Sequence, residues 1–154
     1  MHIAFTDGML LLRDELRSYF AGLVTAEDRS REGTFSPDRL REIFRKLGRD
    51  GWLGIGWPIE YGGQGRSELE RFVFVDEAKR AGVPIPMIAL NTVGPTLMTY
   101  GTEDQKRRYL PSILRGEIDF AVGYTEPEAG TDLASLQTRA VRDGGSYIIN
   151  GNKV

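Results

Sequence analysis

The chain has 154 residues, enough for one compact domain or for one domain with part of a second, and its 40% hydrophobic and 27% charged residues set it apart from disordered chains. Its 20 Lys and Arg are scattered among 22 Asp and Glu, so a net charge of −2 leaves no electrostatic footprint for nucleic acid or anionic lipid. With no cysteine and one histidine, His2, disulfides and thiolate metal sites are excluded and no metal site is expected. The N-terminus lacks a basic segment followed by an apolar core, and no run of about 18 apolar residues occurs, so the expected location is the cytoplasm, without a membrane partner.

In chain order, Thr6 or Asp7 can cap a first helix with Leu12, Leu16, Tyr19, Phe20 and Leu23 at helical spacing, running to about Asp28, while Arg13, Asp14, Glu15 and Arg17 face water. After a polar stretch from Arg29 to Thr34, Ser36-Pro37 caps a second helix whose buried stripe is Leu40, Ile43, Phe44 and Leu47. Between Gly48 and Arg66 seven glycines and Pro58 are interleaved with Trp52, Leu53, Ile55, Trp57 and Tyr61, the composition of an ordered, aromatic-anchored loop. Leu69, Phe72, Val73, Val75, Ala78 and Ala81 sketch a third helix closed by Gly82, with a wide apolar stripe. Beyond Pro84 and Pro86 lies an apolar segment, Met87 to Tyr100. Thr102 with Gln105 forms a capping box for a last helix that turns Tyr109, Leu110, Ile113 and Leu114 inward and stops at Gly116.

The period then changes from helical to alternating. Ile118, Phe120, Val122 and Tyr124 predict a half-buried strand, residues 134–142 and 146–150 predict two more around Asp143-Gly144-Gly145-Ser146, and Asn150-Gly151 predicts a further tight turn. The expected fold class is mainly α: a helical bundle over residues 1–116, then the first strands of a truncated β domain over 117–154, left with an open edge at Val154.

Four motifs in register along nearly the whole chain give it a family resemblance. They are Gly62-Gly63-x-Gly65; Tyr100-Gly101-Thr102-Glu103-Asp104-Gln105-Lys106 with Tyr109-Leu110-Pro111; Thr125-Glu126-Pro127-Glu128-Ala129-Gly130-Thr131-Asp132; and Tyr147-Ile148-Ile149-Asn150-Gly151-Asn152-Lys153. Together they resemble the front half of an FAD-dependent acyl-CoA dehydrogenase, whose middle domain opens with Thr-Glu-Pro-x-Ala-Gly-Ser-Asp. Thr131 replaces the serine and keeps its hydroxyl.

The resemblance implies that the Thr125–Asp132 loop lies along FAD, with Tyr124 and Thr125 facing the isoalloxazine ring and Gly130 and Thr131 against the pyrophosphate. The main chain near Thr131 would also meet the pantetheine arm of an acyl-CoA substrate. In the family a glutamate removes the α proton while a hydride leaves the β carbon for the flavin, giving a trans-2-enoyl-CoA in fatty-acid β-oxidation, and electrons pass on to an electron-transfer flavoprotein. That base, and a Trp-x-Ser/Thr segment near flavin N5, are expected past Val154, so no catalytic residue is expected among these 154 and the portion alone is expected to be inactive. A homo- or hetero-tetramer is implied. The Gly51–Pro58 and Gly62–Ser67 tracts are similar to actinobacterial members that act on bulky, steroid-derived acyl-CoA thioesters. The alternative is a non-catalytic assembly subunit of the same family beside an active partner chain.

Taken without the family, several of these residues have plainer readings. Thr125 and Thr131 cap a turn, Trp52 and Trp57 anchor the loop on the bundle, and Glu126 and Asp132 form turns rather than an acid/base pair. Gly62-Gly63-Gln64-Gly65 lacks the dinucleotide-binding spacing and flanks. On the Met87–Met98 segment the small residues Ala89, Thr92, Gly94 and Thr96 correspond to surface bordering the family's acyl cavity, or belong to an ordinary core helix.

Overall fold

Thr6, extended at φ −70° and ψ 162°, accepts the Met9 N–H and starts α1 (Asp7–Ala21), which buries Met9, Leu12, Leu16 and Phe20 on one face. The computed structural model describes residues 4–30 and 35–154, so His2 and most of the polar connection after Asp28 lie outside it. Helix α1 stops at Ala21, short of the expected end near Asp28. Gly22 turns the chain, Leu23 and Val24 are buried as an irregular link, and a separate short helix α2 (Ala26–Ser30) follows. Asp28 explains the break. Its carboxylate accepts the Thr25 N–H at 2.9 Å and is held by Arg39, which also donates to the Leu23 carbonyl at 2.8 Å. The Arg39 hydrogen bond, helped by Thr25, keeps the Asp28 carboxyl down at about 2.

Ser36 accepts the Arg39 N–H and Pro37 occupies the first turn of α3 (Pro37–Arg49), which buries Ile43 and Leu47. The glycine-rich loop is ordered, as its composition predicts: two short 3-10 turns, Trp52–Gly54 and Ile59–Tyr61, are stitched by Gln64 N–H to Gly54 O (2.8 Å), Gly65 N–H to Trp57 O (2.9 Å) and Arg66 N–H to Ile55 O (3.0 Å). Trp52, Leu53, Ile55 and Trp57 are buried. Trp52 stacks on Phe74 at 6.3 Å and 11°, while Tyr19 leans on Trp52 at 5.6 Å. Each such buried aromatic contributes about 1.5–3 kcal/mol by area, with about 0.5–1.5 kcal/mol more for a well-placed ring pair.

Ser67 and Glu70 form a capping box at the head of α4 (Glu68–Arg80). Its buried face differs from the apolar stripe of the sequence: Val73, Phe74, Glu77 and Ala78 are inside, whereas Leu69 (62%) and Phe72 (56%) are exposed. The reason is an ion pair. Arg17 of α1 clasps the buried Glu77 carboxylate with two bonds of 2.8 and 3.0 Å, which turns a charged position inward.

The apolar segment Met87–Tyr100 is helical, but its first half is a π turn, Ala89–Val93, running straight into α5 (Gly94–Tyr100). Thr102 and Gln105 make the expected capping box for α6 (Glu103–Leu114), which buries Leu110 and Ile113. The ends of α3 and α6 touch backbone to backbone. A Cβ on Gly48 would lie 2.4 Å from the Arg115 carbonyl carbon, and one on Gly116, at φ +64°, would lie 2.2 Å from the Phe44 carbonyl oxygen.

The chain divides into two compact units, residues 1–120 and 121–154. The expected strand from Ile118 to Tyr124 does not form. Ile118 and Phe120 pack against the helical core, with Phe120 edge-on to Tyr109 at 6.2 Å, but among the described residues no second strand pairs with this segment, and without a ladder alternation alone does not make a strand. In the second unit β1 (Arg139–Asp143) and β2 (Ser146–Asn150) form an antiparallel hairpin with Val141 opposite Ile148, turning at Gly144-Gly145. The first strand starts later than expected because Leu133–Ser135 is a 3-10 turn capped by Asp132. Asn150-Gly151 makes no turn; Gly151 continues against Thr138, and the Val154 N–H donates to the Thr125 carbonyl at 3.0 Å. The fold is thus mainly α, with one two-stranded sheet among the described residues.

The glycine contacts predict two different costs. Gly116→Ala combines a left-handed backbone with a backbone clash and is expected to cost about 2–4 kcal/mol. Gly82→Ala, at φ +70° with nothing within 4 Å of the new Cβ, is expected to cost only about 1 kcal/mol. Denaturant midpoints of the two variants check the difference; equal losses would show that the α3–α6 approach is not tight.

Candidate functional site

The candidate site is the Tyr124–Asp132 loop of the second unit. Its core is a tight turn in which Glu126 and Ala129 exchange both backbone hydrogen bonds, at 2.9 and 3.1 Å, with Pro127 and Glu128 at the corner. Proline fixes one backbone angle there and limits the ways the turn can open. Ala129 is buried beneath it.

The loop is held from below by one carboxylate. Glu126 is 6% exposed, and its oxygens accept the backbone N–H of Gln137 at 2.7 Å, that of Thr138 at 2.9 Å and the Thr138 hydroxyl. Lys153 pairs with it at 3.0 Å and also donates to the Tyr124 carbonyl at 3.1 Å. The Gln137 and Thr138 donors, with Lys153, hold the Glu126 carboxyl down at about 2 from an ordinary 4.5. A carboxylate so saturated and so acidic is an anchor, not a general base, which agrees with its reading as a turn former. Asp132 is likewise spent on local structure: it accepts the Ala134 N–H at 3.2 Å, and its carbonyl accepts the Ser135 hydroxyl.

The four residues the sequence singled out lie on the outer rim of this loop. Tyr124, Thr125, Gly130 and Thr131 are all exposed. Among the described residues, the backbone N–H groups of Thr125, Gly130 and Thr131 and the two threonine hydroxyls take no intramolecular partner. A fixed ridge therefore carries several unused donors within a few residues. Gly130 adds access. Its backbone is not left-handed, and a Cβ would meet nothing nearer than Thr125 Cγ2 at 3.9 Å, so the turn itself makes no demand for glycine. The missing side chain leaves bare main chain open to a ligand.

Sequence reasoning missed the anchor. Lys153 was visible only as part of a motif, and Gln137 and Thr138 carry no signal, because they act through backbone N–H groups that any residue but proline supplies. Among the described residues no cluster of His, Cys, Asp or Glu could hold a metal ion, and no helix is long and apolar enough to cross a membrane.

The helical unit and the Thr-Glu-Pro turn define a class. The family described as "Acyl-CoA dehydrogenase, N-terminal domain" matches residues 6–117, and the chain belongs to the acyl-CoA dehydrogenase family. It is similar to the acyl-CoA dehydrogenases FadE26 and FadE29 of Mycobacterium tuberculosis, each 52% identical across 100% of this chain and 40% of the relative. Among solved structures it resembles the Tcur3481-Tcur3483 steroid ACAD, with TM-score 0.93 and 58% identity over 100% of this chain and 41% of that one. It also resembles a chain of the ChsE4-ChsE5 complex from Mycobacterium tuberculosis, with TM-score 0.91 and 53% identity over 99% of this chain and 39% of that one. The chain thus spans about 40% of the length of the curated relatives it matches.

Because the folded value of the Glu126 carboxyl is the lower one, the stability it lends is present above the ordinary value of 4.5 and is lost as pH falls toward 2. Hydrogen-exchange protection of the Gln137 and Thr138 amides is expected to fall across that window. In Glu126→Gln it is expected to be weak at every pH. A pH-independent protection in the natural protein would remove Glu126 from this role.

Proposed function

We propose that the whole protein is an FAD-dependent acyl-CoA dehydrogenase that converts an acyl-CoA thioester, bulky or steroid-derived, to its trans-2-enoyl-CoA. The observation that carries the reading is the rim of the 124–132 loop: unpaired N–H and hydroxyl donors on a rigid turn, with bare main chain at Gly130. Such a donor set suits a pyrophosphate and the polar edge of a flavin, both acceptor-rich groups. On this reading Tyr124 and Thr125 lie by the isoalloxazine ring, Gly130 and Thr131 hold the pyrophosphate, and the Thr131 main chain positions the pantetheine arm.

When bound, FAD supplies the two-electron acceptor for the hydride of the β carbon. The chain's own part is positional. Glu126 stays ionised and buried, keeps the turn in one shape and takes no proton from substrate, so the α proton goes to a base in the portion of the relatives' length that this chain does not span. The steroid-type substrate is supported by the 58% identity to a steroid ACAD. Electron delivery to an electron-transfer flavoprotein is part of the same proposal.

Two matched solved structures carry paired chain names, ChsE4-ChsE5 and Tcur3481-Tcur3483, which supports a hetero-oligomer and favours one second reading: an assembly subunit beside a catalytic partner. The two readings separate by mutation. The whole protein, purified with its partner, is expected to be yellow and to reduce an artificial electron acceptor with a steroid-derived acyl-CoA. Gly130→Val is expected to weaken FAD binding by about 5- to 150-fold, the equivalent of about 1–3 kcal/mol for main-chain donors that the new side chain covers. Unchanged flavin affinity in Gly130→Val would move the function to the partner chain, and a colourless complex would overturn both readings.

A further inference from the structure

The π turn Ala89–Val93 has a cause that lies in the loop some thirty residues earlier. Within it the Gly94 N–H donates to the Ala89 carbonyl, five residues back, instead of to the Leu90 carbonyl four back. In this register the Leu90 carbonyl should next be met by the N–H of residue 95, but residue 95 is proline and has none. A buried carbonyl left without a partner costs about 1–3 kcal/mol. The indole of Trp57 fills the gap: its Nε1–H donates to the Leu90 carbonyl at 3.0 Å, a buried contact. Gly94 makes room for the ring, since a Cβ there would stand 2.1 Å from Trp57 Cζ2. In the π register the indole is thus the donor that satisfies the Leu90 carbonyl. Without it, that oxygen is paired only if the Gly94 N–H moves to it, which winds the segment as α.

The register decides which side chains the segment presents. A change of one residue in register turns the part before Gly94 by about 100° and moves it by about 1.5 Å relative to α5. That part carries Met87 and Ile88, which are 42% and 39% exposed, and Asn91, which is tied to Arg71 of α4 at 2.7 Å. Met87 also borders a recess of about 330 Å³ lined by Val75, Lys79, Val83 and Ile85, an apolar wall with one long cationic stem. Leu90 faces a second recess of about 430 Å³ beside Trp57, Pro95 and Met98. The π turn thus stands between two concave surfaces, and its register shapes the walls of both. Single π turns inside α-helices occur frequently at functional sites.

We infer that Trp57 is a positioning residue: by holding the Leu90 carbonyl it fixes the π register of 89–93 and so sets the shape of the apolar recess at Met87 that selects among acyl groups. The register is a property of the chain alone; the selectivity rests on the acyl-CoA reading above. Two substitutions approach the lock from opposite sides. Trp57→Phe keeps a ring but removes the donor, and Gly94→Ala keeps the donor but pushes the ring away.

Crystal structures of both variants of the whole protein are expected to show the same change, with the Gly94 N–H moved from the Ala89 to the Leu90 carbonyl. Thermal unfolding and circular dichroism establish that each is folded. The ratio of kcat/KM for a steroid-derived acyl-CoA over octanoyl-CoA is expected to shift by about tenfold in both, mostly through KM. An intact π turn in folded Trp57→Phe overturns the lock. A changed register with an unchanged ratio overturns the selectivity role. If the natural protein oxidises neither thioester, the functional reading fails while the structural result still decides the register.

Discussion

The helical unit depends on the seat of Trp57. Its indole N–H satisfies the Leu90 carbonyl, its ring lies on Gly94, and its carbonyl accepts the Gly65 N–H while Gly63 packs against its backbone. One residue thereby ties the glycine-rich loop to the Met87–Tyr100 helix and leaves its own polar atoms paired. The glycines around it follow from that seat, because Gly63 and Gly94 are places where a methyl group would occupy the space of the tryptophan. Packing here is set by close backbone approach as much as by apolar area, and such contacts do not relax around an added carbon.

The second unit solves a different problem with the same kind of device. A lone two-stranded hairpin is at best marginal in water, and Tyr147, Ile148 and Ile149 remain more than half exposed on it. The loop beside it nevertheless has one defined shape, because a single carboxylate collects two backbone amides, a hydroxyl and an ammonium. Rigidity at the 124–132 turn therefore does not depend on a large core under it. That matters for a site whose donors must be in place before a ligand arrives, since ordering them on binding would subtract from affinity.

Elements whose cause is local were legible in the sequence. Caps at Thr6, Ser36 and Thr102 act over three residues, so the starts of α1, α3 and α6 follow from reading along the chain. The 146–150 strand and its Gly144-Gly145 turn are local in the same sense. What escaped is non-local. The α1 break near Gly22 is joined to Arg39 through the Leu23 carbonyl, the inward turn of Glu77 to Arg17, and the Leu90 carbonyl of the π turn to Trp57. Alternation from Ile118 to Tyr124 misled because a strand is defined by its partner. The candidate site was visible as a family motif, but that Thr125, Gly130 and Thr131 keep free donors while Glu126 does the holding follows only from three-dimensional partners.

Glu77 and Glu126 are the two buried charged residues among those described, and the comparison between them explains what buried charge does in this protein. Each is paired with a cation distant in sequence, Arg17 or Lys153, and neither is left with an unsatisfied oxygen. Replacing either pair by apolar groups could leave stability unchanged, since desolvation offsets most of the attraction. What an apolar pair would lose is direction. A methyl group accepts burial at any rotation of α4 and in any shape of the 124–132 loop, whereas a carboxylate with its donors at 2.7–3.0 Å accepts one. The same demand removes Glu126 from proton transfer: the Gln137 and Thr138 donors hold its carboxyl down at about 2, so it stays ionised and is poorly matched to taking a proton from a substrate.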